Sequence, residues 1–111
     1  LGLVTYADQF KRELLGVTKE SLEHEGAVSE VVVREMVTGA MRLAHADYGI
    51  AISGIAGPGG GTEEKPVGMV WFGFGFGDQI EAVRMQFLGD RNAVRSQSVE
   101  FSMQKMLQLI I

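Results

Sequence analysis

The sequence predicts an α/β fold in which a mixed β-sheet is covered by helices in a layered α/β sandwich. Three observations carry that reading. Apolar segments of strand length and strand composition recur at Tyr48–Ser53, Val67–Phe76 and Glu81–Leu88. Segments with helix caps and 3.6-residue apolar spacing lie before and after them. A Gly77-Asp78 pair joins two of the strands by a tight hairpin, which makes the sheet mixed rather than all-parallel. The 111 residues fit one domain with one core.

The elements follow in order. Leu1 to Tyr6 is short and β-rich, and reads as a strand. Asp8 is placed to cap a helix from about Gln9 to Leu15, with Gly16 where a left-handed C-cap belongs. Thr18 is the N-cap of a short helix through Glu25, with Val17 and Leu22 as a hydrophobic staple and Gly26 as the stop. Ser29 caps a longer helix, with Glu30 in its favourable first turn. Val32, Met36 and Met41 with the small Gly39, Ala40 and Ala44 give this helix its apolar face, and it is expected to end near Ala46. Tyr48–Ser53 is a buried strand, and a loop runs from Gly54 to Pro66. Val67–Phe76 is apolar on both faces, as a central strand should be, and Gly73 and Gly75 thin one face for a close neighbour. Glu81–Leu88 alternates, with Val83, Met85 and Phe87 inward. Asp90 caps a last helix whose expected buried stripe is Val99, Met103, Met106 and Ile110. The six methionines read as core filler.

Composition excludes several classes. Net charge is −4 and no basic stripe exists, so a nucleic-acid surface is not expected. There is no cysteine, which rules out disulfides and thiolate metal sites and is compatible with a reducing cytoplasm. No apolar run approaches the ~20 residues needed to span a bilayer, and no signal peptide or repeat is present. The chain opens on Leu1-Gly-Leu-Val-Thr-Tyr6 without a Met and inside an expected strand, so it reads as a single domain over 1–111 that lacks its N-terminal portion.

The stretch richest in chemistry is Ser53-Gly-Ile-Ala-Gly-Pro-Gly-Gly-Gly-Thr62. It leaves a buried strand and becomes a loop with five glycines. Ligands of open α/β sheets sit beyond strand carboxyl ends, and glycines let backbone N–H groups converge on an anion. The backbone from Gly54 to Gly61 can therefore cradle a phosphate or carboxylate, or it can be a flexible surface turn. The pattern is neither a Walker loop nor a dinucleotide fingerprint. Lys11, one turn into the helix after Tyr6, can bind a phosphate or act as a base if desolvated. On spacing alone, an exposed helix lysine and a packed tyrosine are the favoured reading. Arg91, at a helix N-terminus, adds positive charge where backbone donors already favour an anion. His24 and His45 lack metal-site spacing, and Glu63-Glu64-Lys65 reads as a solvated loop tip.

Taken together these pieces resemble one family. Gly2-Leu-Val-Thr-Tyr6 with Lys11 and Leu14-Leu-Gly-Val17, His24-Glu-Gly-Ala-Val-Ser-Glu30, the Ser53–Thr62 block, Lys65-Pro-Val-Gly-Met-Val-Trp71 and Gly89-Asp-Arg91 are similar to successive motifs of the C-terminal domain of the CinA (competence/damage-inducible) proteins. The resemblance covers nearly the whole chain. It implies an amidohydrolase that converts the carboxamide of nicotinamide mononucleotide to the acid and releases ammonia, in recycling toward NAD. The alternative is a non-catalytic nucleotide- or phosphate-binding module. It also implies catalytic roles for Lys11 and Tyr6, and substrate binding by Ser53, Gly54, Ile55, Ala56, Gly57, Gly59, Gly60 and Arg91. No metal or cofactor is expected. A cytoplasmic homodimer is expected, with the apolar end Leu107, Leu109, Ile110 and Ile111 as its contact, and some family members carry a fused molybdopterin-binding-like domain. The family's attacking serine lies in an Ala-Glu-Ser-Cys-Thr-Gly-Gly motif that residues 1–111 do not contain; the resemblance puts it upstream of Leu1.

Overall fold

The computed structural model describes residues 1–111. Helices α1 (Asp8–Leu15), α2 (Lys19–Glu25) and α3 (Glu30–Ala44) precede strands β1 (Tyr48–Gly54), β2 (Met69–Phe76) and β3 (Gln79–Gln86), and α4 (Arg91–Ile110) closes the chain. The strands form one antiparallel sheet in the order β1-β2-β3. Helices on a sheet are the expected architecture, although the sheet is antiparallel throughout these three strands where a mixed one was expected. The expected strand at Leu1–Tyr6 does not form: that segment has no regular structure and pairs with nothing. β propensity is a preference for a paired, half-buried surface, and this segment stands off from the β1 edge across a cavity instead of pairing with it.

Local rules hold at most boundaries. Gly16 adopts φ 73°, and its N–H closes the last turn of α1 on Arg12 O. Thr18 accepts from Ser21 N–H, and Ser29 from Val32 N–H, as N-caps should. Asp8 is the exception: the N-cap position falls on Ala7, and Asp8 is the first helical residue, where its charge faces the dipole instead. The long helix ends at Ala44, with His45 in the left-handed region at φ 52°.

Period-two alternation divides the core between the two sheet faces. Gly49, Ala51, Trp71, Gly73 and Gly75 turn toward α3; Ile50, Val70, Phe72 and Phe74 turn toward α4. The glycine face lets α3 descend onto the backbone: a Cβ on Gly73 would lie 2.6 Å from Val33 O, and one on Gly75 2.2 Å from Met41 Sδ. The other face is aromatic, with Phe101 of α4 edge-on to Phe72 at 4.8 Å between centroids.

The buried face of α4 differs from the expected stripe. Val94, Ser98, Ser102 and Met106 face the sheet, whereas Val99 and Met103 are each 57% exposed and Ile110 is 48% exposed. The phenylalanines of β2 fill the space above the sheet, so small residues must face them. Ser98 and Ser102 meet that need by returning their hydroxyls to their own helix, at 2.8 Å to Val94 O and Val99 O. A reading by hydrophobicity passes over such serines.

The two sheet edges are unequal. Gly77 N–H bonds Asp47 O and Ile55 N–H bonds Met69 O, so the odd-numbered residues of β1 face β2. The N–H and C=O groups of Ile50, Ile52 and Gly54 therefore point outward from the free edge. β3 is blunted: Arg34 Nη1 caps Ile80 O at 3.0 Å. β1 carries no charge along its length, which is the composition that templates edge-to-edge association. Ile52→Lys, at a residue 39% exposed, is expected to lower concentration-dependent light scattering with an unchanged circular dichroism spectrum. Equal scattering would show that the edge does not associate.

Candidate functional site

A cavity of about 630 Å³ lies between the Leu1–Tyr6 segment and residues Ile50–Gly54 of β1, with Met36 and Ala40 of α3 in its lining. It is largely apolar. Its polar members include Lys11 and Ser53, with Asp8 one helical turn before Lys11.

Lys11 reaches this cavity because α1 is amphipathic with Lys11 and Leu15 on one face, four residues apart. Leu15 anchors the helix in the core, and the same face carries Lys11 inward to 7% exposure. Its Nζ donates to Thr5 O in a short hydrogen bond, and it makes no ion pair. An ammonium out of water without a counter-ion costs roughly several kcal/mol, so an anionic or electron-rich group entering the cavity is drawn to it. Ser53, at the carboxyl end of β1, is 9% exposed and shares the lining with Gly54. Tyr6 lines the same cavity but is 87% exposed.

The glycine-rich loop is built differently from a free cradle. Ile55 O accepts from Gly68 N–H at 2.7 Å, and the Thr62–Lys65 turn closes on itself at 2.9 Å. Gly57 and Gly60 have φ of 83° and 89°, which their lack of a Cβ permits. Arg91 Nη1 donates to Gly57 O at 3.1 Å. The structure thus brings Lys11, Tyr6, Ser53 and Gly54 to one cavity. Ile55, Ala56, Gly57, Gly59, Gly60 and Arg91 stand outside that lining, with Arg91 fastening the loop. Arg91→Ala is expected to cost about 1 kcal/mol, the typical worth of one such bond, and to speed amide exchange across Gly57–Gly61. Exchange unchanged there would show that the loop holds itself.

Sequence reasoning passed over Lys65. It is part of no solvated tip: Nζ donates to Glu25 O at the end of α2. The cue was the glycine-terminated helix, whose last carbonyls attract a cation, but the partner lies 40 residues away in sequence.

No helix of the chain is long and apolar enough to cross a membrane.

The sequence profile of the CinA C-terminal domain matches residues 1–110. The nicotinamide-nucleotide amidohydrolase PncC of Enterobacter agglomerans is 52% identical over 99% of this chain, and that of Escherichia coli K12 is 50% identical over 96%. The chain spans about two thirds of their length, 68% and 66% respectively. The crystal structure of a competence-damaged protein (CinA) superfamily protein from Enterobacter cloacae superposes with a TM-score of 0.94 at 38% identity, covering 99% of this chain and 65% of that one. The arrangement of helices on the antiparallel sheet and the ordered motifs along the sequence thus have one common source: the chain belongs to the CinA C-terminal domain family.

Proposed function

We propose that the protein containing this domain is a nicotinamide mononucleotide deamidase: water cleaves the carboxamide C–N bond, giving nicotinate mononucleotide and ammonia, within pyridine-nucleotide recycling toward NAD. The observation that carries the reading is Lys11, an ammonium buried at 7% exposure without a carboxylate partner, in the cavity that Ser53 also lines. The names of relatives at about half identity support the substrate class. In this reading Lys11 is the base or proton shuttle, because its amine stands in the cavity that Ser53 also lines, where a positioned proton carrier can reach the substrate. Tyr6 stands at the mouth to orient the bound nucleotide. Ser53 and Gly54 hold the carboxamide or phosphate, and Arg91 and the loop from Ile55 to Gly60 support them from behind. The chain spans about two thirds of the relatives' length, so the activity is proposed of the whole protein.

The protein acts in the cytoplasm on a small nucleotide. It pairs as a homodimer through the outer stripe of α4, where Leu107 and Ile110 are 58% and 48% exposed and Ile111 is 98% exposed.

Ammonia release from nicotinamide mononucleotide by the full-length protein tests the reading. Turnover is the expected result. A folded, complete protein that binds the nucleotide without releasing ammonia would instead be a phosphate-binding module.

A further inference from the structure

The segment from Thr18 to Ala27 is fastened unlike the rest of the fold. Val17 before it is 3% exposed and Ser29 after it 6%, so both ends are set in the core. Between them α2 buries no residue at all. Leu22 is its only partly buried apolar contact with the α3 core. What holds it is polar and comes from elsewhere. Glu35 of α3 accepts from Thr18 N–H at 2.7 Å and from Ser21 Oγ at 2.5 Å. At the other end Lys65, on the glycine-rich loop, donates to Glu25 O. Gly26 follows at φ 77° and ψ 168°, a conformation open to glycine, and a Cβ there would stand 2.9 Å from Lys65 Nζ.

The C-terminal end of this segment, with Val28 just beyond it, borders two cavities. Ala27 and Val28 line the one that holds Lys11. Glu25 and Val28 line a second, of about 550 Å³, in which Lys65 faces Trp71. We infer that Thr18–Ala27 is a flap whose Glu25–Ala27 end borders both cavities and is latched there by Lys65 on Glu25 O. Opening costs little apolar burial, which is the property of segments that move on their own below the global unfolding limit. The latch sits on the glycine-rich loop, so displacement of that loop and access to the two cavities are one event.

Trp71 is the only tryptophan and it lines the second cavity, so its fluorescence reports on access there. In the chain as described, Lys65→Met removes the latch and keeps the aliphatic stem. The expected results are a rise in acrylamide quenching of Trp71 and amide exchange at Leu22–Gly26 faster by about an order of magnitude, while exchange in Val33–Met41 of α3 stays as in the parent. Lys65→Arg, which restores a cation, should return both readouts toward the parent. Unchanged α2 exchange in Lys65→Met would overturn the latch. Equal acceleration in α2 and α3 would overturn the flap, because the segment would then open only with the whole domain.

Discussion

Replacing Gly39 by Ala unfolds much of this domain's stability, even though alanine is the better helix former. Propensity favours Ala over Gly by about 1 kcal/mol in a helix interior. The opposing term is larger. A Cβ at residue 39 would lie 1.7 Å from Leu15 O, 2.5 Å from its carbonyl carbon and 2.8 Å from its Cα. All three are backbone atoms and cannot rotate away. Either α1 lifts from α3 or both helices bend, and Leu15 and Val17 leave a core in which they are 4% and 3% exposed. Overpacking of this kind costs about 1–3 kcal/mol or more, and the lost core contacts add to it. A net loss of about 2–4 kcal/mol is expected, or roughly 10–25 °C in Tm for a chain of this size. Urea denaturation and a thermal melt check it. A variant as stable as the parent would mean that α1 and α3 do not cross at this residue.

Lys11→Met should separate function from stability. The methionine stem fills most of the lysine's volume, and the change removes a buried cation that has only Thr5 O for company. Replacing a buried charge by an apolar side chain of like size is commonly neutral or stabilising, by about 1–4 kcal/mol at most. The melting temperature of Lys11→Met is therefore expected to hold or rise. If Lys11 moves the proton, ammonia release by the full-length protein falls by roughly 10²–10⁴, the usual worth of a positioned acid–base group. Retained activity removes Lys11 from the chemistry, and a collapse of stability makes it structural. Only a stable, inactive variant fits the role assigned to it.

The local features of this fold were legible because each depends on a few neighbouring residues. Thr18, Ser29 and Asp90 cap the helices they precede, since a side-chain oxygen reaches a backbone N–H three residues on. Gly16 and Gly26 end helices because only glycine takes their φ without strain. The Gly77-Asp78 turn joins β2 to β3 as its composition demands. The motifs at Gly2–Val17 and Ser53–Trp71 pointed to the family, because a long ordered set of matches is specific even where each one is weak.

Where the reading went astray, the missing quantity was what stands opposite. Leu1–Tyr6 has strand composition but does not pair with β1, whose residues Ile50–Gly54 lie across a cavity from it. On α4 two serines lie inward and Val99, Met103 and Ile110 lie outward, because the rings of Phe72 and Phe74 decided which side had room. Lys65 looked solvated until Glu25 came to it from 40 residues away. The same holds for the candidate site. Sequence alone determined the caps of three of the four helices, the hairpin turn, the two-faced central strand, the glycine loop and the family. Tertiary structure decided that Lys11 is buried with Ser53 in one cavity, and that Arg91 grips the loop from outside it. Burial and pairing are properties of two surfaces brought together, and a single stretch of chain specifies only one of them.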